Sequence, residues 1–250
     1  MITRKNAEQL ALMRRAGEVV AEMHEVCIRA AVPGASTLDV DAAARAVIAK
    51  RGARSNFLGY HGFPAVVCTS PNDVIVHGIP SADVVLRDGD ILSIDCGAII
   101  EGWHADAAVT VPVGDVDEES ARLIEVTRRS LEAAIDEVVE GHRLGDIGAA
   151  VEGIAERAGF TVVREYVGHG IGTAMHEDPQ IPNYGPAGRG MKLKEGHVLA
   201  IEPMVNAGTA ATRLLDDGWT VVTADGRRSA HFEHTIAVTD HGPEVLTVPG

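Results

Sequence analysis

The stretch LRDGDILSIDCGAIIEGWHAD, residues 86–106, decides the fold because part of it occurs twice. LKEGHVLAIE at 193–202 repeats LRDGDILSID at 86–95, an offset of 107 positions. Leu, Gly, Leu and Ile are identical, and Asp95 is matched by Glu202. Further on, His104-Ala105-Asp106 is echoed by His231-Phe232-Glu233, 127 positions later. Each copy reads strand, acid, connection, strand, acid. Alternation puts Asp95 on the strand face opposite Leu92, Ile94 and Cys96. A hairpin turning at Ile100-Glu101 would set Asp95 directly across from Asp106, with their side chains about 5 Å apart on one face. Two ionised carboxylates so close repel, and a second pair brought in by pseudo-symmetry makes this worse. A bound cation resolves the conflict.

The helices repeat at the same offset. A long helix is expected from Asn6 to Ala31, ended by Pro33-Gly34. Ser36 with Asp39 forms a capping-box pattern that opens a second helix, closed by Gly52. Asp117 to Glu140 reads as the next long helix and Gly141 to Gly159 as the next short one. Gly34, Asp39, Val40 and Gly52 match Gly141, Asp146, Ile147 and Gly159, each 107 positions on. The fold class is therefore α+β. A single catalytic domain over 1–250 is built of pseudo-repeat halves at about 6–113 and 117–245, with the site at their seam.

Composition narrows the function. A net charge of −14 argues against a general nucleic-acid binder, which needs a basic face. No apolar run reaches the roughly 18 residues of a membrane span, and MITRKNAEQL lacks a signal-peptide core. Cys27, Cys68 and Cys96 are odd in number and irregularly spaced, which suits a reducing compartment, so a cytoplasmic location is expected. The acidic run DVDEES at 115–120 reads as a helix N-terminus favoured by its dipole.

The candidate ligands are Asp95, Asp106, Glu202 and Glu233 with one imidazole. The segment GHGIGTAMHEDPQIP at 168–182 supplies histidines held among glycines that let backbone approach a ligand. Oxygen-rich ligation with one nitrogen suits divalent ions of the Co, Mn, Fe, Zn or Ni group. Four carboxylates balance two such ions. The reaction class that follows is metal-assisted hydrolysis.

VHGIP at 76–80, SID with WHAD, GHGIGTAMHEDPQIPN, AIEPMVN and FEHTIAVT resemble the motifs of methionine aminopeptidase, type I in its bacterial form, a branch of the M24 metallopeptidases. The resemblance runs from about Ala7 to Val245. It implies the pita-bread fold, with helices packed on curved, mainly antiparallel sheet, which agrees with the repeat. It also implies that Asp95 chelates one metal, that Asp106 and Glu233 bridge two, and that His169 binds with Glu202 on the Asp106 side. His77 would hydrogen-bond the scissile amide, His176 the carbonyl oxygen, and Glu202 would shuttle the proton. A methionine pocket is expected from Phe57, Tyr60, His61, Phe63, Cys68, Met175 and Trp219. A sodium or potassium site is expected near Asn72, Val74 and Ser229. The partners implied are N-termini of nascent polypeptides at the ribosome, met by a monomer with no nucleic-acid motif and no membrane anchor.

Three departures stand out. Gly97 lies where many relatives carry Thr, Ala105 and Ala107 flank Asp106 where Gly and Thr are common, and Met175 stands where Phe is frequent. None removes a ligand. Competing readings are a proline-directed aminopeptidase or prolidase of the same fold, and a non-catalytic peptide-binding member. Prolidases carry an added N-terminal domain, whereas here the first helix begins almost at once, and a non-catalytic member would have lost ligands. His24, His142, His197 and His241 read as surface or packing residues. His104 and His231 share the ligand side of their strands.

Overall fold

Helices form where the sequence supplies a cap and an apolar face. The first, α1 (Ala7–Ala30), opens on Asn6, whose side chain accepts from Gln9 N while Gln9 accepts from Asn6 N. The second, α2 (Thr37–Arg51), opens on the expected Ser36 and Asp39 pair and closes at Gly52 in the left-handed region, φ 62°. Asp117 caps α3 (Glu118–Asp136), which stops short of the expected Glu140. Its last turn tightens as Val138 N donates to Ile135 O, burying Val138, and Gly141 reverses the chain at φ 93°. The fourth helix, α4 (Leu144–Arg157), begins where Asp146 accepts from Arg143 N. This computed structural model describes residues 2–249. Met1 and Gly250, the ends of the expected 1–250 domain, lie outside the described residues.

The 107-residue repeat is physical as well as textual. Gly34 N donates to Leu86 O at 2.8 Å, and Gly141 N to Leu193 O at 3.0 Å. The isolated antiparallel bridge Ser36 with Val85 recurs as Arg143 with Lys192.

Strands Ile91–Ile100 and Trp103–Pro112 form the first hairpin. Its turn is Glu101-Gly102, with φ 50° and 84°, a two-residue loop of the type that matches strand twist. The turn thus falls one residue later than expected. Asp95 pairs with Ala108, and Asp106 pairs with Gly97. Direct opposition of Asp95 and Asp106 is corrected to a diagonal placement, but both stay on one face because the slip involves one residue on each strand. The other face, Leu92, Ile94, Cys96, Ala98, Ala105 and Ala107, is fully buried in one core cluster with α1 and α2.

The second hairpin joins Val198–Ile201 to His234–Thr239, and its ladder continues from Met204–Asn206 to Ser229–His231. Ile201 pairs with His234 and Met204 with His231, so the same register sets Glu202 across from Glu233. These second strands match at 125 positions, not at the 127 of the HAD and HFE echo. Gly89 N donates to Val113 O just as Gly196 N donates to Val238 O, both at 2.9 Å. In space Asp106 therefore corresponds to His231, and Ala108 to Glu233.

The halves meet where Glu233 N donates to Ala108 O at 2.8 Å and Ala108 N to Glu233 O at 3.2 Å. Two threonine hydroxyls latch the same seam. Thr110 Oγ1 donates to His231 O and accepts from His231 N. Thr235 Oγ1 does the same with the backbone of Asp106. A second core cluster, including Leu123, Leu131, Ile147 and Ile236, packs α3 and α4 onto the second half.

Gly17 lies inside α1 against the C-terminal segment, where an added Cβ would sit 1.8 Å from Leu246 O. Alanine normally stabilises a helix interior by about 1 kcal/mol over glycine. Here Gly17→Ala is expected to destabilise by about 1–3 kcal/mol through overpacking. Urea unfolding midpoints measure this, and an unchanged or raised midpoint contradicts the close approach.

Candidate metal centre

The four acids reach one cleft by strand alternation from both halves. Asp95, Asp106, Glu202 and Glu233 line a cavity of about 130 Å³ together with His77, His169 and His176. Ligating atoms of Asp106, His169 and Glu233 lie within 4.8 Å of one another. Glu202 Oε1 is 3.6 Å from His169 Nε2. Asp106 and Glu233 are only 4% and 3% exposed. Asp95 Oδ1, Asp106 Oδ1 and Glu233 Oε1 are buried without any hydrogen-bond partner. Buried carboxylate oxygens are normally satisfied, so three orphans in one cleft mark a place built for a cation.

The imidazole is prepared for the same task. His169 Nδ1 donates to Gly170 O at 2.9 Å. A carbonyl only accepts, so the proton sits on Nδ1 and Nε2 keeps its lone pair toward the acids. Burial, followed by the neighbouring His176, pushes His169 down to about 4, so the ring is neutral at pH 7. These residues therefore fit hard-to-borderline divalent cations held by oxygen and one nitrogen.

Electrostatics state the same need. Burial raises Asp95 to about 7. Burial raises Asp106 well above the usual carboxylate range, and the charges of Glu233 and Asp95 add to this. Glu202 and Glu233 are raised in the same way, burial first and then the other acids. Without a cation the site holds protons in place of charge.

An apolar wall adjoins the acids. Phe57, Phe63, Ala65, Cys68 and Met175 form one buried cluster, with Tyr60, Ile79 and Trp219 packed on it. Phe63 meets Phe57 and Trp219 edge-on, at 6.4 Å and 5.1 Å. Cys68 is paired with Asp95 across the sheet, and burial followed by the acid charges pushes its thiol well up. It remains a neutral thiol in that wall. Six of the seven residues expected in the pocket line the cavity. His61 does not: it is exposed, with its ring edge-on to Tyr60 at 4.4 Å.

His176 lies at the mouth, its Nδ1 2.8 Å from the Tyr60 hydroxyl and its ring 4.4 Å from that of His169. His77 holds a left-handed backbone, φ 61°, and Gly78 follows it because a Cβ there would sit 2.1 Å from Thr69 O. His77 faces Trp219 and Tyr166 edge-on. At the expected monovalent-cation position, Ser229 N donates to Asn72 O. Asn72 is occupied by Asp90 and Ile91 N, and Ser229 Oγ donates to Val205 O. Val74 lies in the neighbouring strand Val74–Val76. These side chains are held by the protein itself.

Three residues that sequence reading did not single out support the site. Asn183, fully buried, donates to Glu202 O at 2.9 Å. Tyr166 borders His77. Asn56 packs over Gly97 and touches both Ala105 O and His104. Its signal was the departure at Gly97, which left a space that some side chain had to fill.

A buried quartet of acids with one imidazole beside an apolar pocket defines a metal-dependent hydrolase. The profile of metallopeptidase family M24 matches residues 11–240. A methionine aminopeptidase of Clostridium acetobutylicum is 50% identical over 248 residues, covering 99% of each chain. The crystal structure of a methionine aminopeptidase from Thermotoga maritima superposes with a TM-score of 0.97 at 45% identity, covering 99% of this chain and 100% of that one. A prolidase from Pyrococcus furiosus shares the fold at 22% identity, with a TM-score of 0.79 over 98% of this chain and 65% of its own. The chain belongs to metallopeptidase family M24, in the branch of the methionine aminopeptidases, and it has that family's pita-bread fold.

The pKa shifts set a stability profile with a definite sign. The four acids are raised in the folded state, so their contribution is lost as pH rises from their unfolded values, near 4, through about 7 and beyond. His77 and His169 are pushed down to about 4, and His231 to about 3, by burial first. They act oppositely, losing stability as pH falls below about 6.5. Metal-free protein should therefore be most stable near pH 6 and lose melting temperature steadily to pH 8.5. Saturating Mn²⁺ or Co²⁺ should abolish the alkaline loss. Scanning calorimetry of dialysed protein with and without metal measures both, and a metal-free profile rising from pH 6.5 to 8.5 contradicts the buried-acid assignment.

Proposed function

We propose that this chain is a metalloaminopeptidase that removes the N-terminal methionine from newly made polypeptides whose second residue is small. The observation that carries the reading is the junction of two chemistries in one cavity. Acids with orphaned oxygens stand at one end, and aromatic, thiol and thioether groups form the other. Met175 and the aromatic edges suit a polarisable thioether.

Asp95, Asp106, His169, Glu202 and Glu233 would hold the divalent ions, and four carboxylates balance two of them in charge. When bound, such ions supply Lewis acidity to a water and to the substrate carbonyl and give the free α-amine an anchor. The protein groups carry the rest. The pocket fixes the side chain of the first residue, and His77 donates to or accepts from the scissile amide at its rim. With the Tyr60 hydroxyl as donor to His176 Nδ1, Nε2–H would be left to stabilise the oxyanion that develops on the carbonyl oxygen. Glu202 takes a proton from the attacking water and delivers it to the leaving nitrogen as the C–N bond breaks.

A proline-directed peptidase is the weaker reading. The likeness to a prolidase, at 22% identity, concerns the fold. The relative that shares half its residues carries the methionine aminopeptidase name. No helix among the described residues is long and apolar enough to cross a membrane.

With Mn²⁺ or Co²⁺ present, kcat/KM for Met-Ala-Ser should exceed that for Met-Leu-Ser by roughly 100-fold. Equal rates would remove the small-second-residue specificity. Substituting Glu202→Gln should lower kcat by about 10²–10⁴-fold with KM within a few-fold. Near-normal turnover after that substitution would take the proton shuttle away from Glu202.

A further inference from the structure

Gly97 stands directly opposite Asp106 in the first hairpin, on the face that carries the acids. A side chain there would lie within cross-strand reach of the Asp106 carboxylate. That volume is filled from elsewhere. A Cβ on Gly97 would sit 2.4 Å from Asn56 Nδ2 and 2.7 Å from Asn56 Cγ. Asn56 follows the short strand Arg54–Ser55, and its backbone N donates to Gly97 O at 3.2 Å, which lays its carboxamide over the glycine.

The carboxamide is held in one orientation. Nδ2 donates to Ala105 O at 3.0 Å, immediately before Asp106. Oδ1 lies 3.0 Å from His104 Nδ1, and an amide oxygen only accepts, so His104 carries its proton on Nδ1. His104 is itself fixed through its backbone N, which donates to Gly172 O at 2.9 Å. Asn56 is 5% exposed.

We propose that Asn56, oriented by His104 and admitted by Gly97, is a positioning residue for Asp106, holding the backbone at Ala105 and filling the space across the hairpin from Asp106 so that its carboxylate stays aimed for the metal. The amide does from a neighbouring strand what a polar side chain at position 97 would otherwise do from across the hairpin. Asn56 and Gly97 act as one unit, because either a side chain at 97 or the Asn56 amide fits, and not both. The proposal rests on the metallopeptidase reading of the site.

The test is titration of the metal-free full chain with Mn²⁺ alone, read by calorimetry, with tripeptide kinetics alongside. Asn56→Leu keeps the volume and removes the amide. It should melt within about 3 °C of the parent when metal-free, yet bind Mn²⁺ about 10–100-fold more weakly, with KM for Met-Ala-Ser at saturating metal nearly unchanged. Asn56→Gly should lose affinity similarly, and Asn56→Gly combined with Gly97→Ser should recover most of it, because removing the Asn56 Cβ, which would lie 2.7 Å from a Cβ at 97, frees the place for the serine side chain. Binding by Asn56→Leu within twofold of the parent overturns the proposal and reduces Asn56 to a filler. Should that variant fail to fold, the glycine pair decides: a double variant binding no more tightly than Asn56→Gly alone overturns it. Failure of the parent to bind Mn²⁺ at all sinks the reading of the site itself, which is distinguishable from failure of the Asn56 variants only.

Discussion

Repulsion among four buried carboxylates is the constraint on which the rest of the structure depends. In an apolar interior each acid would lose its charge, since burial, the largest influence on all four, favours the proton. Natural cores avoid such clusters unless a cation joins them. The fold concentrates them in one cleft and leaves three oxygens without protein partners. Stability is given up locally so that binding free energy is available there, and the two alanine- and valine-rich core clusters offset the loss.

Holding the acids in that position needs a rigid seam. The Ala108 and Glu233 backbone bridge and the two threonine latches fix the strands of one half against those of the other. Because Thr235 grips the backbone of Asp106, a ligand of the first half is positioned by the second. Separate folding of either half would leave its acids without the partners that the other half supplies.

Much of this was legible in the chain itself. Ser36 and Asp39 cap α2 as expected, and Gly34 and Gly141 turn the chain ahead of the short helices at φ 92° and 93°, although the second short helix, read from Gly141 to Gly159, runs only from Leu144 to Arg157. The acids were visible because period-two alternation keeps them on one face when the register shifts by one residue on each strand, as it does here. The register itself was not legible. Ile100-Glu101 and Glu101-Gly102 are both plausible turns, and the left-handed preference of Gly102 selects the second. Asn56 escaped for a related reason. A residue that acts by filling the space above a distant glycine carries no local pattern, and only the fold brings position 56 over position 97. His61, which the resemblance implies for the pocket, is exposed, with its own backbone in the left-handed region at φ 45°.

The misfit between the 107- and 125-residue offsets on the one hand and the 127-residue echo of acids on the other shows where symmetry was abandoned. Backbone hydrogen bonds, glycines and latching threonines keep the pseudo-two-fold relation, so architecture is shared between the halves. By that relation Asp106 should face an acid at 231, or Glu233 an acid at 108. Instead those places hold His231 and Ala108. An acid at 108 would stand directly across the seam from Glu233, the most repulsive placement a sheet offers. Choosing 106 on one strand and 233 on the other makes the pair diagonal, close enough to share a cation and offset enough to leave room for it. The same choice makes the two sides of the site chemically unequal, with Asp95 beside Cys68 and Glu202 beside His169. A hydrolytic site needs that inequality, because one side must hold and the other must move a proton. A repeat faithful in its acids could have bound metal but would have lacked that division of labour.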